Sequence, residues 1–177
     1  MSGAKPAFRI AGIVAATAIV TAVATIAFAN HEPGHRVARG KAPNKTIVVT
    51  GEDPTEIGFP EWQTIDGAKT QIRVPNGQRA LLLIRFTAET VCFFGGPDEC
   101  AARVMVDARQ ARPASGRDFH IDSQYAGETD ESQKGHAFDR SLEVGPGRYT
   151  IKVQGAAMGD NILRVDDWSM TVERVRA

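Results

Sequence analysis

Residues 79–109 read RALLLIRFTAETVCFFGGPDECAARVMVDAR, and their alternation decides the fold class. From Ala80 to Cys92 one parity is small or apolar (Ala80, Leu82, Ile84, Phe86, Ala88, Thr90, Cys92), whereas the other passes from Leu81 and Leu83 to Arg85, Thr87 and Glu89. A period of two with one apolar face marks a strand half-buried against a core. The second arm repeats the pattern: Cys100, Ala102, Val104 and Val106 share one parity, and Arg103, Met105, Asp107 and Arg109 share the other. Between the arms, Gly95-Gly96-Pro97-Asp98 supplies the residues that a reversal favours.

Cys92 and Cys100 are the only cysteines of the chain. They lack the C-x-x-C spacing of a redox pair, so a structural disulfide is expected. If it joins neighbouring antiparallel strands, Phe86 faces Val106 and Ala88 faces Val104 on the inner side. Glu89 then meets Arg103, and Arg85 meets Asp107, on the outer side; such cross-strand ion pairs would support the register. A hairpin at the centre of the fold is the expectation.

Working outward, Lys5 and Arg9 precede the uncharged run Ile10–Ala29, IAGIVAATAIVTAVATIAFA, which ends in Ala27-Phe28-Ala29. A positive start, an apolar middle and an A-x-A ending make an export signal cleaved after Ala29. At 20 residues the run is also long enough to span a bilayer as a helix if it is retained. Either way the remainder is exported, secreted or anchored to the outer face of the cytoplasmic membrane by residues 10–29, with that segment its one membrane contact. An oxidising compartment is where a disulfide persists. Residues 1–29 carry two basic and no acidic side chains of the chain's 21 and 21, leaving a nearly neutral domain and no electrostatic case for nucleic acid. Asn30–Asn44, NHEPGHRVARGKAPN, has no periodicity and reads as a flexible basic linker.

Further alternating segments run over Lys45–Thr50, Glu61–Ile65, Lys69–Val74, Arg117–Asp122, His136–Val144, Arg148–Gln154 and Asn161–Val175. Turns are read at Pro75-Asn76-Gly77, leading into the central hairpin, and at Gly145-Pro146-Gly147. In the last segment Leu163 and Val165 belong to one parity and Trp168, Met170 and Val172 to the other, which predicts a β-bulge near Asp166-Asp167. No helical periodicity follows the leader. The expectation is all-β: an antiparallel, jelly-roll-like β-sandwich over residues 45–177, behind an N-terminal hydrophobic leader helix (1–29) and the linker (30–44).

Several residues are candidates for chemistry. Asp118, His120 and Asp122 alternate on one strand, so carboxylate and imidazole ligands would share a side and could hold a divalent ion; the plain alternative is a solvated polar face. Glu128, Asp130 and Glu131 could offer oxygens to calcium, although the EF-hand order is absent. Calcium or another divalent ion is the one cofactor class considered. Asp166 and Asp167, at the expected bulge, are either ligand-facing or a kink with one carboxylate in water and one capping the backbone. Trp62, Tyr125 and the pair Phe93-Phe94 could stack on sugar rings, against the commoner role of packing. The motifs of serine hydrolases, zinc proteases, P-loop proteins and dinucleotide-binding enzymes are missing. Leu81, Leu83 and Met105 on the polar side of the hairpin would mark an oligomer or partner interface.

The stretches Ala88–Cys92 (AETVC), Cys100–Asp107 (CAARVMVD), Gly145–Gln154 (GPGRYTIKVQ) and Asp166–Arg174 (DDWSMTVER), behind an export leader, resemble those of small exported β-sandwich proteins of unknown role in actinobacteria. The resemblance covers roughly Lys69 to Arg174. It implies a fold and an address, and no catalytic residue. The function expected is a non-catalytic binding or structural module at the cell envelope or beyond it, with a glycan or protein as ligand. The alternatives are a hydrolase using a metal or paired carboxylates, and a subunit of a surface assembly.

Overall fold

The computed structural model describes residues 42–58, 61–93, 99–114, 120–123 and 133–177. The leader and nearly all of the linker lie outside them. The described residues form ten strands and no helix: β1 (Pro43–Gly51), β2 (Thr55–Gly58), β3 (Gln63–Val74), β4 (Ala80–Phe93), β5 (Glu99–Val106), β6 (Arg109–Gln110), β7 (His120–Ser123), β8 (Lys134–Val144), β9 (Gly147–Ala157) and β10 (Ile162–Arg176). They make two antiparallel sheets packed face to face. Sheet A runs β1-β10-β4-β8, with β2 also on β10; sheet B runs β3-β9-β5-β6, with β7 also on β5.

The chain pairs from its ends inward. β1 lies on β10, β3 on β9 and β4 on β8, while β5 pairs with the short β6 and β7. Successive long strands therefore alternate between sheets, and the turns at Pro75–Gly77 and Gly145–Gly147 are corners from one sheet to the other. This corrects the central hairpin. β4 and β5 belong to different sheets, so Phe86 pairs with Met170 and Phe138, and Arg85 meets Asp139 at 2.9 Å; Asp107 and Val106 are not the partners. The reason is that an inward parity on each strand is equally satisfied by strands side by side or facing across a core. The bond itself is present: Cys92–Cys100, Cα atoms 5.8 Å apart, staples one sheet to the other.

Between the sheets lie Ile57, Ile65, Ile72, Leu82, Ile84, Phe86, Ile151, Leu163 and Met170, all essentially inaccessible. The predicted bulge is in place: Asp166 pairs with Glu89 and Ser169 with Thr87, so two residues of β10 oppose Ala88 alone. Asp167 there takes φ 40°. β3 breaks register as well, between Thr64 and Lys69, which is why it reads as two strands. Trp168 lies where the irregularities meet. Its ring stacks on Phe86 with centroids 6.0 Å apart and covers the β1 backbone at Gly51, its register partner. On the far side of the sandwich, Arg112 and Ser141 exchange backbone hydrogen bonds of 2.8 Å, linking sheet B to the β8 edge.

Candidate binding site

The outer face of sheet B collects the groups with most chemistry. Trp62 stands just before β3, half-buried. The Arg103 guanidinium from β5 lies over its ring, 4.3 Å from the centroid, a distance at which the cation is attracted to the π face. Arg103 Nε donates to Gln154 Oε1 at 3.0 Å, fixing the guanidinium in the plane the indole covers. Gln154, although on the outer side of β9, is only 7% exposed because this stack shields it. Burial pushes the Arg103 guanidinium below the ordinary arginine value, without a carboxylate to offset it.

The strand beyond Arg103 separates His120 from Asp122. A register slip in β7 sets His120 opposite Ala101 and Asp122 opposite Cys100, with Ile121 between them in the core. His120 Nδ1 lies 2.6 Å from Glu99 Oε2, beside the outer face. Asp122 turns the other way, where its Oδ2 accepts from Thr90 Oγ1 at 3.2 Å, and Thr90 is also 2.8 Å from His136 Nδ1. One hydroxyl has one proton, and a carboxylate can only accept; Thr90 therefore donates to Asp122 and accepts from an Nδ1-protonated His136. With Thr90 fully buried, this chain ties β4 and β8 of sheet A to β7 of sheet B. The shared side expected for His120 and Asp122 is thus corrected, the bulge being the physical reason. Among the described residues no three of His, Cys, Asp and Glu come together as a metal site. Asp118, Tyr125, Phe94 and the acidic loop Glu128, Asp130 and Glu131 lie outside the described residues, as does the calcium expectation that rests on that loop.

At the β10 bulge, Asp166 Oδ1 accepts from the Asp167 backbone N–H at 3.0 Å, and its Oδ2 lies 3.4 Å from both Arg164 Nη2 and Gln133 Nε2. Asp167 itself is exposed. This is a kink held by one carboxylate with the other in water. Leu83 remains partly exposed on the outer face of sheet A, but Leu81 is 4% exposed and Met105 belongs to sheet B, so the three do not form one patch. Arg103, Gln154, Thr90 and His136 are the residues that sequence reasoning missed. Each acquires its role through a partner on another strand, and no local spacing signals that.

No family model and no curated protein matches the chain. Among solved structures, it is similar to Eiger TNF from S. frugiperda at 8% identity, covering 74% of this chain and 92% of that one with a TM-score of 0.34. It is likewise similar to dimeric latent PorU from Porphyromonas gingivalis at 12% identity, covering 77% of this chain and 14% of that one, again with a TM-score of 0.34. Likeness at this level carries no argument about function.

Proposed function

We propose that this chain is a non-catalytic, exported β-sandwich of jelly-roll type that binds a carbohydrate at the cell envelope or outside the cell through the outer face of sheet B. Its first-with-last strand nesting is the pattern of a long hairpin rolled into two sheets, the architecture of many lectin domains. The observation that carries the binding reading is Trp62: a half-buried indole with the Arg103 guanidinium stacked on one face, itself held by Gln154. Such a ring is a rigid apolar plate with hydrogen-bonding groups at its margin, the combination that receives the face of a pyranose. The disulfide and the leader support export, since a bond of this kind persists in oxidising compartments.

A glycan array with the full chain tests the reading. Bound sugar should quench the emission of Trp62 while the buried Trp168 stays silent, and Trp62→Ala should cut affinity at least tenfold without moving the thermal midpoint by more than a few degrees. Undiminished glycan binding by Trp62→Ala would remove the basis for the proposal.

A further inference from the structure

The outer face of sheet B carries a cationic strip whose charges oppose one another. Lys69 of β3 lies directly across from Lys152 of β9, and Arg73 directly across from Arg148. Adjacent positions of this kind bring Cβ atoms to about 5 Å, and like charges placed there are destabilising. Among the described residues none of these four makes an ion pair. Arg103 continues the strip beside Trp62, so five cations follow β9 from position 148 to 154, about 20 Å at the strand rise. Among the described residues two carboxylates adjoin it directly: Glu99 contacts His120, and Asp107 Oδ1 is taken by the Thr150 backbone N–H at 2.8 Å. Glu61 and Asp66 lie on the approach to β3 and in its bulge.

The outer face of sheet A treats its charges differently; where sheet A does oppose two cations, Lys45 and Arg174, the Arg174 guanidinium donates to Asn44 Oδ1 and to the Arg73 carbonyl. On its outer side Arg85 is 2.9 Å from Asp139, Arg79 is 3.7 Å from Glu143, and Arg164 is 3.4 Å from Asp166. The like-charged opposition of Asp166 and Glu89 there has Arg164 beside it as a counter-ion. One face thus neutralises its arginines internally while the other leaves two cation pairs facing outward.

Resting on the carbohydrate reading above, we infer that the ligand of sheet B is a linear polyanionic glycan, its carboxylate or sulfate groups seated on the Lys69–Lys152 and Arg73–Arg148 pairs and a sugar ring on Trp62. A lipid surface fits less well, because among the described residues the face offers only the half-buried Met105 and Trp62 as apolar groups to insert. Single-stranded nucleic acid is recognised by several stacking aromatics, and among the described residues this face has one, Trp62. A second copy of the chain would have to present an acidic face, and the outer acids of sheet A are largely matched by its own arginines.

The test measures binding of the full chain to polygalacturonate, neutral dextran, a single-stranded oligonucleotide and phosphatidylglycerol vesicles. Wild type should favour polygalacturonate, and the slope of log affinity against log salt should be about −2 to −3 if three or four cations are neutralised. Lys69→Ser/Lys152→Ser should weaken polygalacturonate binding at least tenfold and flatten the slope, with a thermal midpoint unchanged or raised because a repulsion is removed. Unchanged polygalacturonate binding in that double variant overturns the inference, as does charge-dependent binding that is stronger to the oligonucleotide or the vesicles. Binding to dextran that needs Trp62 but not the lysines would overturn the anionic ligand while leaving the carbohydrate reading intact. Loss of Trp62 dependence for every glycan would overturn both.

Discussion

Gly51→Ala should be among the most damaging single-methyl additions to this domain. A Cβ built at Gly51 would stand 2.5 Å from Cε2 and 2.6 Å from both Cζ2 and Nε1 of Trp168, well inside van der Waals contact. The indole has nowhere to retreat. Phe86 stacks on it, and on another side the Gly67 backbone, at φ +74°, is so close that a Cβ there would come within 3.2 Å of Cζ2. Overpacking of this kind costs about 1–3 kcal/mol, and the rigidity of both partners argues for the upper part, about 2–3 kcal/mol. At about 4 °C per kcal/mol for a domain of this size, the thermal midpoint should fall by about 8–12 °C. Trp168→Phe makes the decisive control. Trp168 Nε1 is buried without a hydrogen-bond partner, so phenylalanine sacrifices ring volume and no hydrogen bond. In a double-mutant cycle followed by urea unfolding and far-UV circular dichroism, Gly51→Ala should cost at least about 1 kcal/mol less in the Trp168→Phe background. Additive effects, or a Gly51→Ala cost below about 0.5 kcal/mol, would refute the claim that Trp168 is wedged against the β1 backbone.

Removing the inter-sheet bond by Cys92→Ala/Cys100→Ala should lower stability by about 2.5 kcal/mol from loop closure over a separation of 8 residues, and somewhat more for the buried sulfur contacts. Urea unfolding of the double variant checks it, and a loss under about 1 kcal/mol would contradict the account. Thr90→Val keeps the shape of a fully buried side chain but strips the hydroxyl from between Asp122 and His136, so a loss of about 1–2 kcal/mol is expected, against less than about 1 for Thr90→Ser. Equal stability of the valine and serine variants would show that the chain of hydrogen bonds through Thr90 is dispensable.

What was legible in the sequence was whatever depends on one strand at a time. Ala80, Leu82, Ile84 and Phe86 face the core as their parity requires, and the parity change between Val165 and Trp168 locates the β10 bulge, because a strand cannot switch buried faces without an extra residue. The β3 bulge leaves a similar trace, a gap between the apolar segments Glu61–Ile65 and Lys69–Val74 that makes one strand look like two. β2 escaped notice: four residues after Pro54 are too few to show alternation. Register between distant strands leaves no such trace. Glu89 with Arg103 and Arg85 with Asp107 looked like confirmation of a hairpin only because outward positions on any strand tend to be charged, so opposite signs coincide often by chance. The same blindness hid the opposed lysines and arginines of sheet B. Lys69 and Lys152 are unremarkable outward residues until the first-with-last pairing of the chain sets them face to face. A local ion pair explains itself by the energy it gains. Two unshielded like-charge pairs on one face have no such explanation within the fold, and that is the physical reason to look outside it for the counter-ion.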